Sequence, residues 1–267
     1  MTELSSVKSL SDWPKVRKDI QTALMAALGS MPKEVPEPQT KTVDEDSYPG
    51  YTRQRVSYFV SDWERVPAWL FVPDEAEEAP AIICCHDKVV QGKDESAGIE
   101  GEPLLAFAQH FVERGFVTMA PDCVAMGDRI SRGREPFDTR ALAKDYPKMT
   151  VCGKMAWDYM RAVDVLSDMK GVDPSRIGII GHGMGGQNAL VVSALDERIQ
   201  ACVASAAFTR FADRSDLAAI ADTCLFTLAP ETGKKASDAF AFDWEHILAL
   251  GAPSPTLLAG AADSSVF

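Results

Sequence analysis

The segment "IGIIGHGMGGQNAL", residues 177–190, carries the pattern in this chain most suited to chemistry. It reads as a buried strand, a tight glycine-rich turn and the start of a helix. A turn of the form Gly-x-Ser-x-Gly in that setting lifts a serine clear of the sheet, where its hydroxyl can attack a carbonyl carbon. Here the middle position is Gly183, so the support for a nucleophile is present without the hydroxyl. A phosphate loop is the competing reading. The stretch lacks the Gly-Lys-Ser/Thr ending of a P-loop, and it comes late in the chain, whereas a dinucleotide unit opens with its fingerprint.

In open α/β sheets, reacting groups gather outside the carboxyl ends of the strands. Four such ends stand out: His86 and Asp87 after "AIICC", Asp122 after "FVTMAP", Gly181 to Gly186 after "RIGII", and Asp263 after "PTLLAGAA". The elements that must position them follow from periodicity. "APAIICCH" is a short apolar run suited to a strand buried on both faces. "EPLLAFAQHFVERG" has helical spacing and stops at Gly115, and "FVTMAPD" is the next strand. "GKMAWDYMRAVDVLSDMKGV" is a helix with Met155, Tyr159, Ala162, Val163 and Leu166 along one stripe. "RIGIIG", "IQACVASAAF" and "SPTLLAGAAD" supply three more strands, with a helix from Gly185 between the first two. Strands alternating with helices predict right-handed crossovers and a mostly parallel sheet with helices on both faces.

Ahead of this core, "SDWPKVRKDIQTALMAALGSMP" reads as an amphipathic helix with Ser11 as its cap, Pro14 in the first turn and its end near Gly29. The polar, proline-rich "PKEVPEPQTKTVDEDSYPG" reads as a loop. "RQRVSYFV" and "VPAWLFVP" read as antiparallel strands joined by a turn at Asp62 to Arg65. The division expected is residues 1–50, a helix and loop packing on the core, and residues 51–267, the α/β domain.

Composition narrows the function classes. A chain of 267 residues with 46% hydrophobic and 25% charged residues is of the soluble globular type. A formal net charge of −12 argues against nucleic acid as a partner. No apolar run has the length of a membrane span and no signal-peptide core opens the chain, so a cytoplasmic protein is expected. The six cysteines form no Cys-x-x-Cys pair and no zinc spacing, which predicts structural thiols, no metal and no cofactor.

From about residue 55 onward the chain resembles the α/β-hydrolase superfamily, in the branch around dienelactone hydrolases and acetyl xylan esterases. The likeness is carried by "VPAWLFVP", "APAIICCHDKVVQGKDESAGIEG", "ERGFVTMAPDCVAMGD", "GKMAWDYMRAVDVL", "VDPSRIGIIGHGMGG", "DERIQACVASAAF" and "DWEHILALGAPSPTLLAGAAD", in the family's order. The resemblance implies an ester hydrolase in which an elbow serine, or cysteine in dienelactone hydrolases, attacks the carbonyl. A histidine takes its proton, an acid orients that histidine, and two backbone N–H groups hold the oxyanion. Carried over, the nucleophile position is Gly183, the oxyanion donors are the N–H groups of Met184 and Asp87, and the acid is Asp263.

This chain departs from that pattern twice. Gly183 replaces the nucleophile, and no histidine follows Asp263 before Phe267, as if the last helix and strand were absent. His86, His110, His182 and His246 read as structural residues, with His86 bracing the oxyanion loop. Ser205, Thr209, Ser264 and Ser265 offer hydroxyls, with no base nearby to activate them. Lys88, Lys93 and Arg129 could meet a carboxylate but read as surface charge. The expectation is a scaffold for hydrolysis of a small carboxylic ester that is itself inactive or impaired. The alternative is a non-catalytic pseudohydrolase that binds a small ligand or a protein partner. An uncovered edge at "TLLAGA" would favour a homodimer.

Overall fold

The computed structural model describes residues 4–208, 210 and 241–260. Eight strands form one sheet: β1 (Lys41–Tyr48), β2 (Tyr51–Phe59), β3 (Arg65–Pro73), β4 (Ala79–Cys85), β5 (Val117–Pro121), β6 (Val172–His182), β7 (Ile199–Ser205) and β8 (Thr256–Ala259). Their order across the sheet is β1-β2-β3-β5-β4-β6-β7-β8. The first three strands are antiparallel neighbours and β3 meets β5 antiparallel; from β5 to β8 every pairing is parallel.

Period-two alternation divides the core between the two faces. Along β4, Ala81, Ile83 and Cys85 point into one apolar cluster, while Ile82 and Cys84 point into the other. The larger cluster is covered by α1 (Trp13–Leu28), α5 (Val151–Asp168), α6 (Met184–Leu195) and α7 (Trp244–Leu250). The smaller lies under α3 (Phe107–Val112), which buries Ala108 and Val112 there. Two short helices, α2 (Lys93–Ser96) and α4 (Leu142–Asp145), sit in the loops after β4 and β5. The helices are thus on both faces, as strand–helix alternation requires.

Several local readings hold at residue level. Val16, Ile20, Leu24 and Leu28 repeat every four residues along α1 and are all buried. The stripe from Met155 to Leu166 on α5 is buried throughout, and the Thr150 hydroxyl caps that helix by accepting from the Gly153 N–H at 3.1 Å. The α1 cap differs: Asp12, not Ser11, precedes the helix.

One reading is corrected. Residues 41–48, expected within a loop, form β1. The strand is almost wholly exposed and carries no apolar alternation, because an edge strand needs only one partner and need not bury a face. Cross-strand polar pairs hold it instead, Arg53 with Asp46 at 2.7 Å and Gln54 with Glu45 at 2.6 Å. At the far end of the described sheet lies β8, where Leu257 and Leu258 are exposed. Among the described residues, no helix is long and apolar enough to cross a membrane.

Candidate active site

The turn at Gly183 forms where β6 runs into α6. Gly183 has φ 53° and ψ −121°, a left-handed conformation that strains any residue with a Cβ. Its N–H donates to the Ser205 carbonyl at 2.9 Å, and its own carbonyl accepts from Gln187, starting α6. The turn packs backbone on backbone: a Cβ on Gly185 would lie 2.2 Å from the Cys85 carbonyl oxygen at the end of β4. The strand, tight turn and helix take the arrangement expected from the sequence, with glycine at the apex.

Asp87 follows β4, the parallel neighbour of β6, and its side chain turns onto the elbow. A Cβ on Gly183 would lie 2.3 Å from Asp87 Oδ1 and 2.5 Å from Oδ2. The carboxylate therefore occupies the space that a side chain at position 183 would need. Oδ1 accepts the Met184 N–H at 2.8 Å and the Lys88 N–H at 2.7 Å. An anion there also suits the positive end of α6. The Asp87 N–H in turn donates to Oε2 of the buried Glu95 at 2.9 Å. Both N–H groups expected to hold an oxyanion are engaged by carboxylates of the chain itself.

The same carboxylate decides against a phosphate loop. Gly181, Gly183 and Gly186 have dinucleotide Gly-x-Gly-x-x-Gly spacing. A pyrophosphate is excluded by geometry rather than by spacing, because Asp87 already fills the helix N-terminus.

His86 braces the loop, as its position suggested. Its Nδ1 lies 2.6 Å from the Asp87 carbonyl oxygen, and its Nε2 accepts the Cys123 N–H at 2.9 Å. That acceptance fixes Nε2 without a proton and leaves Nδ1–H as the donor. His110 bonds the Pro103 carbonyl, and His246 completes a capping box with Asp243 at the start of α7.

Ser205 corrects an expectation, since a base does stand beside it. His182 Nδ1 lies 3.1 Å from Ser205 Oγ. The pair lacks the other parts of a catalytic centre. The neighbouring Gly183 and Ala206 N–H groups donate to the carbonyls of Ser205 and Ala259, and among the described residues no carboxylate bonds His182. Asp263, Thr209, Ser264 and Ser265 lie outside the described residues.

Lys93 and Arg129 are also corrected, for neither is surface charge. The Lys93 side chain is 2% exposed, with Nζ 3.1 Å from the fully buried Asp122 and 2.9 Å from Asp128. Burial works against its charge, but Asp122 and Asp128 hold it ionised, above the ordinary lysine range. Arg129 bridges Asp158 and Glu64, both at 2.8 Å, and Lys154 adds a second cation 2.9 Å from Glu64. Charge in the sequence does not reveal burial, and Lys93 and Arg129 sit in the segments after β4 and β5, which carry no apolar period. Glu95, equally silent in the sequence, was missed for the same reason.

Glu64 gives this second cluster a measurable pH signature. Burial opposes its ionisation, but Arg129 and Lys154 outweigh burial and hold the carboxyl at about 2, down from 4.5. A depressed carboxyl stabilises the fold above its unfolded pKa and loses that stabilisation as pH falls through the folded one. Between roughly pH 5 and pH 2 the expected loss is about 3 kcal/mol. Urea unfolding across that range should show a shallower pH dependence for Glu64→Gln than for the unaltered chain. Parallel curves would remove Glu64 from the account.

Comparison with known proteins adds four relations. The sequence model of the Dienelactone hydrolase family matches residues 66–231, more than half of the chain. YtaP of Bacillus subtilis (strain 168) is 33% identical over 150 residues, covering 52% of this chain and 48% of that protein. The quorum-quenching protein AidA of Acinetobacter baumannii (strain MDR-ZJ06) is 27% identical over 151 residues, covering 57% and 43%. Among solved structures, a glucuronoyl esterase from Solibacter usitatus superposes with a TM-score of 0.70 at 17% identity, over 97% of this chain and 77% of that one. That likeness is one of fold. The chain spans less than half the length of either curated relative.

Proposed function

This chain belongs to the dienelactone hydrolase family, and from that premise we propose that it descends from a serine-type hydrolase of small carboxylic esters whose hydrolytic centre is disabled here. The parent reaction would form an acyl-enzyme at position 183, with the N–H groups of Met184 and Asp87 holding the tetrahedral oxyanion. One observation carries the reading: the Asp87 carboxylate lies where a residue-183 side chain would project and accepts the Met184 N–H.

The consequence is stronger than the loss of a hydroxyl. An oxyanion hole and binding alone leave roughly 10³–10⁴-fold catalysis over water when a triad is removed. Here one donor faces Asp87 and the other faces Glu95, so a developing oxyanion would meet two carboxylates instead of open N–H groups. That residual catalysis is therefore also lost.

Turnover of p-nitrophenyl acetate tests this directly. The expected rate equals that of a heat-denatured sample at the same concentration, for the unaltered chain and for Gly183→Ser alike. A burst of p-nitrophenolate stoichiometric with native protein would overturn the reading. A second reading, a non-catalytic binder of a small ligand, is favoured by the cleft beside the site.

A further inference from the structure

A cleft of about 290 Å³ opens between the β2–β3 turn and the segment that follows β5. One side carries Trp63, an indole 62% exposed on a hairpin turn. It stacks on Tyr146, with ring centroids 5.3 Å apart and planes 30° from parallel. Tyr146 is fixed from below, since its hydroxyl donates to Glu64 at 2.6 Å. The result is an aromatic platform at the mouth of the cleft.

Charge around the cleft is balanced. Behind the lining residues Glu64 and Arg129, Lys154 and Asp158 complete a balanced set of two cations and two carboxylates. On the rim, Arg134 and Arg140 flank Asp138, leaving one positive charge, and Lys93 and Arg55 are shared by Asp128, Asp122 and Asp94, leaving one negative. Two lining charges have no ion pair among the described residues, Asp145 and Arg65, and they are of opposite sign. An ionic ligand would find no net counter-charge. A neutral ligand with one apolar face and several hydroxyls matches both platform and rim, with Asp145, Ser131 and Thr139 available to its hydroxyls.

The wall is also held against its backbone preference. Ala125, which lines the cleft, and Phe137 both have positive φ, 60° and 67°. The Phe137 N–H donates to the Ala125 carbonyl at 2.9 Å. Non-glycine residues remain in that region only where the surroundings over-determine them, and such strain clusters at ligand-holding sites. Lys88 Nζ lies 5.6 Å from the centre of the Phe137 ring, and the Lys88 N–H bonds Asp87, so this wall adjoins the elbow.

We propose that the Trp63–Tyr146 cleft binds a single neutral pyranose ring, its apolar C–H face against the Trp63 indole and its hydroxyls toward Asp145 and the cleft floor. The volume lies at the lower end of ligand pockets, about 300 Å³, which fits one ring and not an extended chain. The proposal deepens the binding reading above and does not depend on the elbow's chemistry.

The test is titration of the full chain with methyl β-xylopyranoside and methyl β-glucopyranoside, followed by calorimetry and by tryptophan fluorescence. Glucuronate and glucosamine serve as charged counterparts. The expected result is saturable binding of a neutral glycoside, about tenfold weaker in Trp63→Ala and weakened in Asp145→Asn. Both side chains are exposed, so circular dichroism and Tm should stay unchanged in these variants. Absence of saturation at the solubility limit, equal binding by Trp63→Ala, or preference for a charged sugar would each overturn the proposal. None of these outcomes bears on p-nitrophenyl acetate turnover, so failure here is distinct from failure of the disabled-hydrolase reading.

Discussion

Gly183→Ser should destabilise the fold by about 2–4 kcal/mol, and Asp87→Gly in the same chain should add little to that loss. Two effects add at position 183. A serine at φ 53° is strained by about 1–3 kcal/mol. Its Cβ would also lie 2.3 Å from Asp87 Oδ1, far inside contact distance, so the carboxylate must leave the Met184 N–H. Removing the Asp87 side chain ends the overlap but leaves the backbone strain, and the Met184 N–H is without its acceptor in either case, so the two losses should not add. Asp87→Gly alone should cost about 1–2 kcal/mol, because the Met184 N–H loses its acceptor. Urea unfolding of the four chains forms a double-mutant cycle, and the coupling between the two positions is the quantity of interest. Additive losses would show that Asp87 does not occupy the space of the missing nucleophile. The cycle also explains why restoring serine alone should restore no activity: positions 87 and 183 are alternatives for one volume.

The sequence reported the fold wherever burial is periodic. The apolar run of β4, the stripe on α5 and the four-residue repeat of α1 each announce an element through the side chains it must hide. β1 was illegible because its residues hide nothing; it exists through pairing with β2. At the site, the glycines of the elbow were legible because close backbone contact excludes a Cβ. Asp87 was legible only as a backbone donor, since nothing in "CCHDKVV" says that its side chain folds back across the sheet onto β6. Lys93 and Arg129 were misread because an ion looks the same in a sequence whether water or a carboxylate surrounds it. The pairing of Trp63 with Tyr146 joins a hairpin turn to a segment more than eighty positions away, and no local pattern signals it.

Lys93→Met should cost about 3–5 kcal/mol, because it strands a buried carboxylate. Asp122 has a fully buried side chain, and its closest cation is Lys93 Nζ at 3.1 Å. Its remaining donors are the N–H groups of Lys93 and Asp128. The other oxygen is packed by backbone: a Cβ at Gly92 or Gly127 would lie within 2.3 Å of Asp122 Oδ1. Without its counter-charge the carboxyl must take up a proton or unfold the loop, so the loss in Lys93→Met should shrink as pH is lowered. Lys93→Met combined with Asp122→Asn should recover a large part of the stability, since the amide needs no counter-charge. The same substitution reaches the elbow. Lys93 lies in the segment that carries both Asp87 and Glu95, and its ammonium ties that segment to Asp122 just after β5. Loosening this tie should free the Asp87 carboxylate from α6 and speed hydrogen exchange at the Met184 amide. Faster exchange there in Lys93→Met, reversed in the double variant, would show that the Lys93–Asp122 pair holds the carboxylate over Gly183. Exchange unchanged at Met184 despite a large stability loss would separate the ion pair from the site.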